Sequence, residues 1–564
     1  MSKIYRRDVL KVIIAGTAVL VSCDALALGG HWARRAASNS GITNDIGTPG
    51  GAGFGVGVCP STPAGFSALA GTTTPGHDNY GNYQYRDGSI MCWVPAFYYR
   101  VGHADNPTYA AHGVNSVDVK PESAFASPAA ANSAGYALHR AFIDSGSQKR
   151  GFMVDKYMCS KAATGTGWIA SSVKNGLPIS THADHNPIAD LTACSGNAHY
   201  FAIDAAHARD GVDGAINPSS IFFCNSRFIT GAMALLSLAH GQAATAADSC
   251  AWYDAAGVIS FPKGCNNNAL ADANDTAVKW ESDGYSNCGK TGSAGYGGGA
   301  GNIFAKSTHN GQNCGVADLN GLMWEISTGI TNIVSGVAIA GMTRANPCVV
   351  TWTAHGQATG AVVMLLAITQ DGWIGLKDKL FAITRIDDDH FSLDGVDSSG
   401  FAADYDPVAD PGTITKAAFY TAKESVAMSA FSSGATGATD HWGATGVAAM
   451  MAAFAPAFET AYPNNGFTQR FGDGAGQVLS DGTSGAGWLA AGLGFPVSLS
   501  GVSPAGSNLF GADYYYQYFA NLLCLLSGAG WGDGTGAGVW AARWGGARAS
   551  SGSNVGFRLA CYPV

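Results

Sequence analysis

Charge is scarce in this chain. Charged residues make up 13% of the sequence, against roughly 25% in an average soluble domain, and no Lys/Arg-rich block occurs. With a net charge of −9, the attraction that drives phosphate binding is missing, which argues against a nucleic-acid partner. No CxxC pair occurs, so the spacing of the 13 cysteines does not suggest a metal knuckle. GxSxG is not present. What abounds is glycine, 77 of 564 residues, beside 47% hydrophobic residues and 13 Trp. A chain of this composition can bury a large core and is not disordered. Its length allows several domains. Few charges with many glycines and aromatics point to loop-rich packing rather than long helices.

Residues 1–23 read as processing rather than fold. Arg6-Arg7-Asp8-Val9-Leu10-Lys11 resembles a twin-arginine export signal, and the apolar run at 12–21 is too short to span a bilayer. Leu20-Val21-Ser22-Cys23 resembles a bacterial lipobox, which implies a lipid on Cys23 as the only tie to a membrane. The expected location is then the cell envelope, as an exported lipoprotein. Without Cys23 an even number of cysteines remains. Cys250/Cys265 and Cys288/Cys314 are near enough in sequence to be disulfide candidates. Twin-arginine cargo folds in a reducing cytoplasm, so single buried thiols fit equally well, and no pairs are assigned.

From Gly29 to Pro75 the chain reads as an extended leader that packs on something else. Strands are expected at Ile90-Met91-Cys92-Trp93-Val94-Pro95, at Phe97-Tyr98-Tyr99 and across residues 151–157. Helical spacing runs from Arg227 to Gly241, where the glycine can stop the helix. Residues 260–315 read as long irregular loop. Composition shifts at 335–416, where β-branched residues alternate with polar ones between Gly and Asp turns. That segment is expected to be an inserted small β-barrel or sandwich. Its ANPCVVTWTAHG and HFSLDGVDSSG resemble the small all-β modules of phage tail proteins. The flanking segments, 24–334 and 417–564, are read as two parts of one domain.

Four segments in order resemble the formylglycine-generating-enzyme branch of the C-type lectin fold: MCWVPAFYYRVG, FMVDKYMCS, VADLNGLMWEIS and the closing VGFRLA. The resemblance implies an α+β, loop-rich C-type lectin fold. That enzyme uses a pair of cysteines near its C-terminus, and no matching pair stands here. Cys524 lies in an apolar run and Cys561 follows the closing strand. The fold therefore carries over and the chemistry does not; no enzyme, cofactor or metal is expected.

The C-terminal segment, GAGWGDGTGAGVWAARWGGARASSGSNVGFRLA, interleaves large apolar residues with small or polar ones. It resembles the variable proteins of diversity-generating retroelements, in which adenines of a template are rewritten. Trp531, Gly534, Ala537, Gly538, Val539, Trp540, Trp544, Arg548, Ser551, Val555, Gly556, Phe557 and Arg558 fall on frame positions of that family. Gly530, Gly532, Asp533, Gly536, Ala541, Arg543, Gly545, Gly546, Ala547, Ser550, Gly552, Ser553 and Asn554 fall on varying ones. All of these are reachable from an AAC codon, as are Tyr518, Phe519 and Ala520, whereas Gln517 is not. The resemblance thus implies a variable region at about 513–558 whose changing side chains sit on solvent-facing loops above an aromatic frame. Such a division lets the surface change without unfolding the protein. Arg543, Asp533 and the Tyr518/Phe519 pair are the best anchors.

The expected function is ligand binding by a display protein, its target a protein or glycan surface of variable identity, with oligomers gaining strength by multivalency. A phage or prophage tail receptor-binding protein of the same fold is the alternative, favoured by the insert and disfavoured by the export signal. A formylglycine-generating-type enzyme ranks below both and would need an accessible, low-pKa thiol. Other motifs point elsewhere. His182-Ala183-Asp184-His185 lacks a third ligand, Asp387-Asp388-Asp389-His390 reads as a solvated acidic turn, and Asp318 and Glu325 are expected to orient backbone.

Overall fold

Strands rather than helices carry the apolar runs. Ile90–Pro95 (IMCWVP) is buried at every position from Met91 on, as a strand covered on both faces must be. The computed structural model describes residues 44–563 except 166, 175, 177, 183–197, 254–302, 320, 333–335, 433–448, 455–466, 472–478, 480–484, 498, 501–509, 511–512, 519–522, 531, 534–535 and 549–550. Cys23, Phe519, Ala520, Trp531, Gly534 and Ser550 therefore lie outside the described residues, as do most of the 260–315 segment and all but His182 of the HADH motif. The architecture is mixed α+β, mostly strands with few helices and much loop, and it includes a curled sheet.

A six-stranded antiparallel sheet has the order Phe66–Ala68, Asn82–Tyr85, Ile90–Pro95, Gly151–Asp155, Leu559–Cys561, Phe222–Cys224. Gly151 stands opposite Pro95, and a Cβ there would fall 2.4 Å from the Trp93 ring, so only glycine lets that indole lie across the strand. A second sheet has the order Leu499–Ser500, Phe467–Phe471, Tyr514–Gln517, Ala542–Ala547, Leu523–Ser527, Trp324–Ser327, Val555–Gly556. The C-terminal segment thus contributes to both sheets, and the turn at Phe557 and Arg558 joins them.

Two buried ion pairs hold that joint. Arg558 grips Glu325 with its Nε 2.6 Å from one carboxylate oxygen and Nη2 on the other, while Nη2 also donates to Ala317 O at 2.8 Å. Arg209 grips Asp155 at 2.6 and 2.9 Å, and the same Asp155 accepts the Leu559 N–H at 2.8 Å. Glu325 is expected from sequence to orient backbone; here its carboxylate takes the side chain of Arg558 instead.

Ser226 caps the helix Arg227–Ala243, its Oγ accepting the Ile229 N–H at 3.3 Å. The helix passes Gly241, the expected stop, by two residues. The Gln242 amide is clamped by Val117 N–H and Asn115 C=O, both at 2.8 Å, and this holds the last turn in place. Three buried histidines bridge distant segments. His240 Nδ1 accepts the Gly50 N–H at 3.0 Å while Nε2 donates to Ser249 O at 2.7 Å. His309 spans Val316 N and Gly55 O, and His139 spans Ala141 N and Gly492 O. The leader at 44–59 is thereby fastened to this layer, with Phe54 stacked on His240 at 5.0 Å.

Residues 337–416 form a seven-stranded antiparallel sheet curled around its own core of Trp373, Val363, Ile383, Phe391 and Ile414. Its carrier strands lie side by side, Ile330–Asn332 pairing antiparallel with Phe419–Ala422. In the Asp387–His390 turn the carboxylates take donors from the chain itself. Asp387 accepts Asp389 N–H at 2.8 Å and contacts His390, Asp389 accepts Ala354 N–H at 2.7 Å, and Asp388 pairs with Arg385.

Candidate ligand-binding face

Alternation along Tyr514–Gln517 splits the strand into two faces. Tyr515 and Gln517 are buried, whereas Tyr514 and Tyr516 are half-buried on the other face, Tyr514 with its ring edge-on to Trp324 at 5.8 Å. The parallel neighbour Ala542–Ala547 continues the pattern, with Arg543 exposed and Trp544 buried. Inward, Trp544 packs on Phe495 and Phe419 at 4.5 and 4.9 Å between ring centroids, and Trp540 on Phe510 at 5.4 Å. The buried Asp513 carboxylate accepts the Trp540 N–H at 2.9 Å, and a Cβ at Gly538 would fall 1.9 Å from it, which fixes that glycine. Arg227 lies behind the sheet, donating to Leu493 O at 2.7 Å and Ser527 Oγ at 3.0 Å, with burial pulling its guanidinium down to about 10.

Outward, Arg470 stands opposite Tyr514 and Arg543 opposite Tyr516. Each guanidinium lies over its tyrosine ring, 5.5 and 5.6 Å from the centroid. Tyr518 continues the row, its N–H donating to Trp544 O at 3.0 Å. At the edge, Asp533 accepts the Gly530 N–H at 2.7 Å, and burial raises its carboxyl above the usual range.

Among the frame positions, Trp540, Trp544, Phe557 and Arg558 are fully buried and Arg548 nearly so, its Nη2 donating to Thr331 Oγ1 at 3.0 Å. Gly556 leaves no room for a Cβ, which would meet Met158 at 2.8 Å and Ile179 O at 2.9 Å. The varying positions divide. Gly532 and Arg543 are exposed, and Tyr518, Asp533, Ala547, Gly552, Ser553 and Asn554 are half-buried. Gly530, Gly536, Ala541, Gly545 and Gly546 are buried, which corrects the expectation that all of them face solvent. The cause is sheet pairing. Gly545 and Gly546 belong to a strand covered by neighbours on both sides, and their Cβ atoms would fall 2.7 Å from Tyr518 Cβ and 2.9 Å from Cys524 O. Ala541 sits in a tight turn, its N–H on Gly538 O at 3.0 Å, and packs with Ala529 and Ala537. Codon reachability carries no trace of either. It also missed Tyr514, Tyr516 and Arg470. The YYYQY alternation could have found the tyrosines, but no local signal finds Arg470.

This contrast is measurable. Gly545→Ala is expected to cost about 1–3 kcal/mol through overpacking, whereas Arg543→Ala should stay within about 0.5 kcal/mol of the parent. Urea midpoints of the two variants check it, and equal midpoints would return Gly545 to the freely varying set.

The nine cysteines among the described residues are buried and unbridged. Burial pushes the Cys524 thiol up to about 12 and raises Cys561 as well. Both candidate disulfides have one partner, Cys265 or Cys288, outside the described residues. Compared with known protein families and with curated proteins, the chain matches none.

Proposed function

We infer that the chain is a ligand-binding display protein whose surface at about 513–558 is diversified by adenine-directed retroelement mutagenesis, carried on a C-type lectin fold of the formylglycine-generating-enzyme branch. The observation that carries this reading is the split between adjacent residues. Trp544 is buried in an aromatic stack while Arg543 is exposed beside a row of half-buried tyrosines. The exposed Arg543 side chain can change without touching the core, which a changing surface requires. The chain reaches the envelope as an exported lipoprotein anchored at Cys23.

A thiol raised to about 12 is a poor nucleophile at neutral pH, so Cys524 does not favour the enzyme of that branch. The curled 337–416 sheet keeps a second reading open, a tail receptor-binding protein of the same fold. Sequencing the DNA beside the gene tests the first reading. A near-copy of the segment encoding 513–558, differing at adenines and lying near a reverse transcriptase gene, is the expected result. Flanks without such a copy overturn the diversification. Palmitate labelling at Cys23 separates surface display from a virion tail.

A further inference from the structure

We propose that Lys156 and Asn82 join through an intramolecular isopeptide bond, Nζ to Cγ, with the loss of ammonia.

Topology brings the two together. Asn82 opens the strand Asn82–Tyr85 and Lys156 follows the strand Gly151–Asp155, one on each side of Ile90–Pro95. Both residues are shut away from solvent, Asn82 fully and Lys156 to within 3%. The Lys156 N–H donates to Ile90 O at 2.9 Å, and its side chain reaches past the middle strand to place Nζ 2.5 Å from Asn82 Oδ1. Carbonyls hold both ends of that contact. Nζ donates to Asn313 O at 2.6 Å and to Asp78 O at 3.3 Å. Asn82 Nδ2 donates to Cys314 O at 2.8 Å and to Tyr80 O at 3.0 Å.

Proximity selects the chemistry. An amine fixed against one amide in a dry interior meets it at an effective concentration that no solution reaches. Burial disfavours the ammonium and lowers Lys156 below the ordinary lysine range. A desolvated neutral lysine is a nucleophile. It can give its two N–H bonds to Asn313 and Asp78 and turn its lone pair on the Asn82 carbonyl carbon. The Nζ–Cγ bond forms and the Cγ–Nδ2 bond breaks, the electron pair leaving with Nδ2. Asn82 Nδ2 also donates to Cys92 Sγ at 3.4 Å, and burial raises that thiol to about 12, so it keeps a proton for the leaving nitrogen. The thiolate then recovers a proton from Nζ, and ammonia departs with no other reactant.

The bond closes residues 82–156 into a ring across three strands. Lys156 O accepts the Ala317 N–H at 2.9 Å and Arg558 Nη1 at 3.4 Å, so the ring is tied to the turn that joins the two sheets.

A tryptic map of the denatured full chain tests the proposal. The peptide ending at Arg86 should appear joined to Gly151–Lys161, uncut after Lys156 and lighter than the two together by one ammonia. Asn82→Ala should release both peptides and restore cleavage after Lys156. Cys92→Ser should enlarge the unlinked share in freshly made chain, and an equal share would remove Cys92 from the step. Separate Asn82 and Lys156 peptides from the parent chain would overturn the bond, as would Lys156 joined to any other residue.

Discussion

Glu325→Ala is expected to destabilise the protein by roughly 3–5 kcal/mol, the cost of leaving a buried charge without its partner. Arg558 is fully buried, and with Glu325 gone its guanidinium would keep only the carbonyls of Ala317, Asp155 and Lys156. Asp155→Ala should cost a similar amount, because Arg209 is equally buried and the Leu559 N–H loses its acceptor. The urea midpoint reads both. A double replacement of Glu325 and Arg558 by apolar residues of similar volume should recover much of the loss. An unchanged midpoint for Glu325→Ala would mean that the pair does not hold the two sheets together.

Acidification should weaken the fold between about pH 6.5 and pH 4, the three bridging histidines contributing together with His199, which burial lowers to about 3. In each of the three bridges, one ring nitrogen accepts a backbone N–H and the other donates to a carbonyl, so the neutral ring is fully used and a second proton would face a donor. Burial accordingly lowers His240 and His309 to about 4 and His139 to about 3. The unfolded rings titrate near 6.5. Stability is therefore fully present above that pH and is lost as the unfolded chain takes up protons first, on the order of 2 kcal/mol per ring by pH 5. Urea midpoints at neutral pH and at pH 5 measure the effect, and His309→Gln should flatten the dependence. Since His240 and His309 fasten Gly50 and Gly55, limited proteolysis at pH 5 should cut first near 44–59. Equal midpoints at both pH values would sink the idea.

How much of this could be read from the residues differs by element. Ile90–Pro95 announces itself because every position is apolar, Gly151–Asp155 because only its closing aspartate is not, and the helix from Arg227 does so by its spacing. Its end is not legible locally, because the clamp on Gln242 comes from residues 115–117, more than a hundred positions away. In the site, the inward Trp544 and outward Arg543 follow from alternation. Codon reachability puts Gly545 and Gly546 on the surface because it follows the DNA and not the neighbouring strands. Arg470 reaches the face only through pairing with Tyr514, a contact that no local pattern encodes.

The paired strands Ile330–Asn332 and Phe419–Ala422 make a stem that closes on itself. Whatever is threaded between them lengthens the chain at one point, at an entropic cost that grows only as the logarithm of its length. The 337–416 module is thus an exchangeable cassette. Another of different size could take its place while Trp324–Ser327, and the sheet built around it, keep their positions.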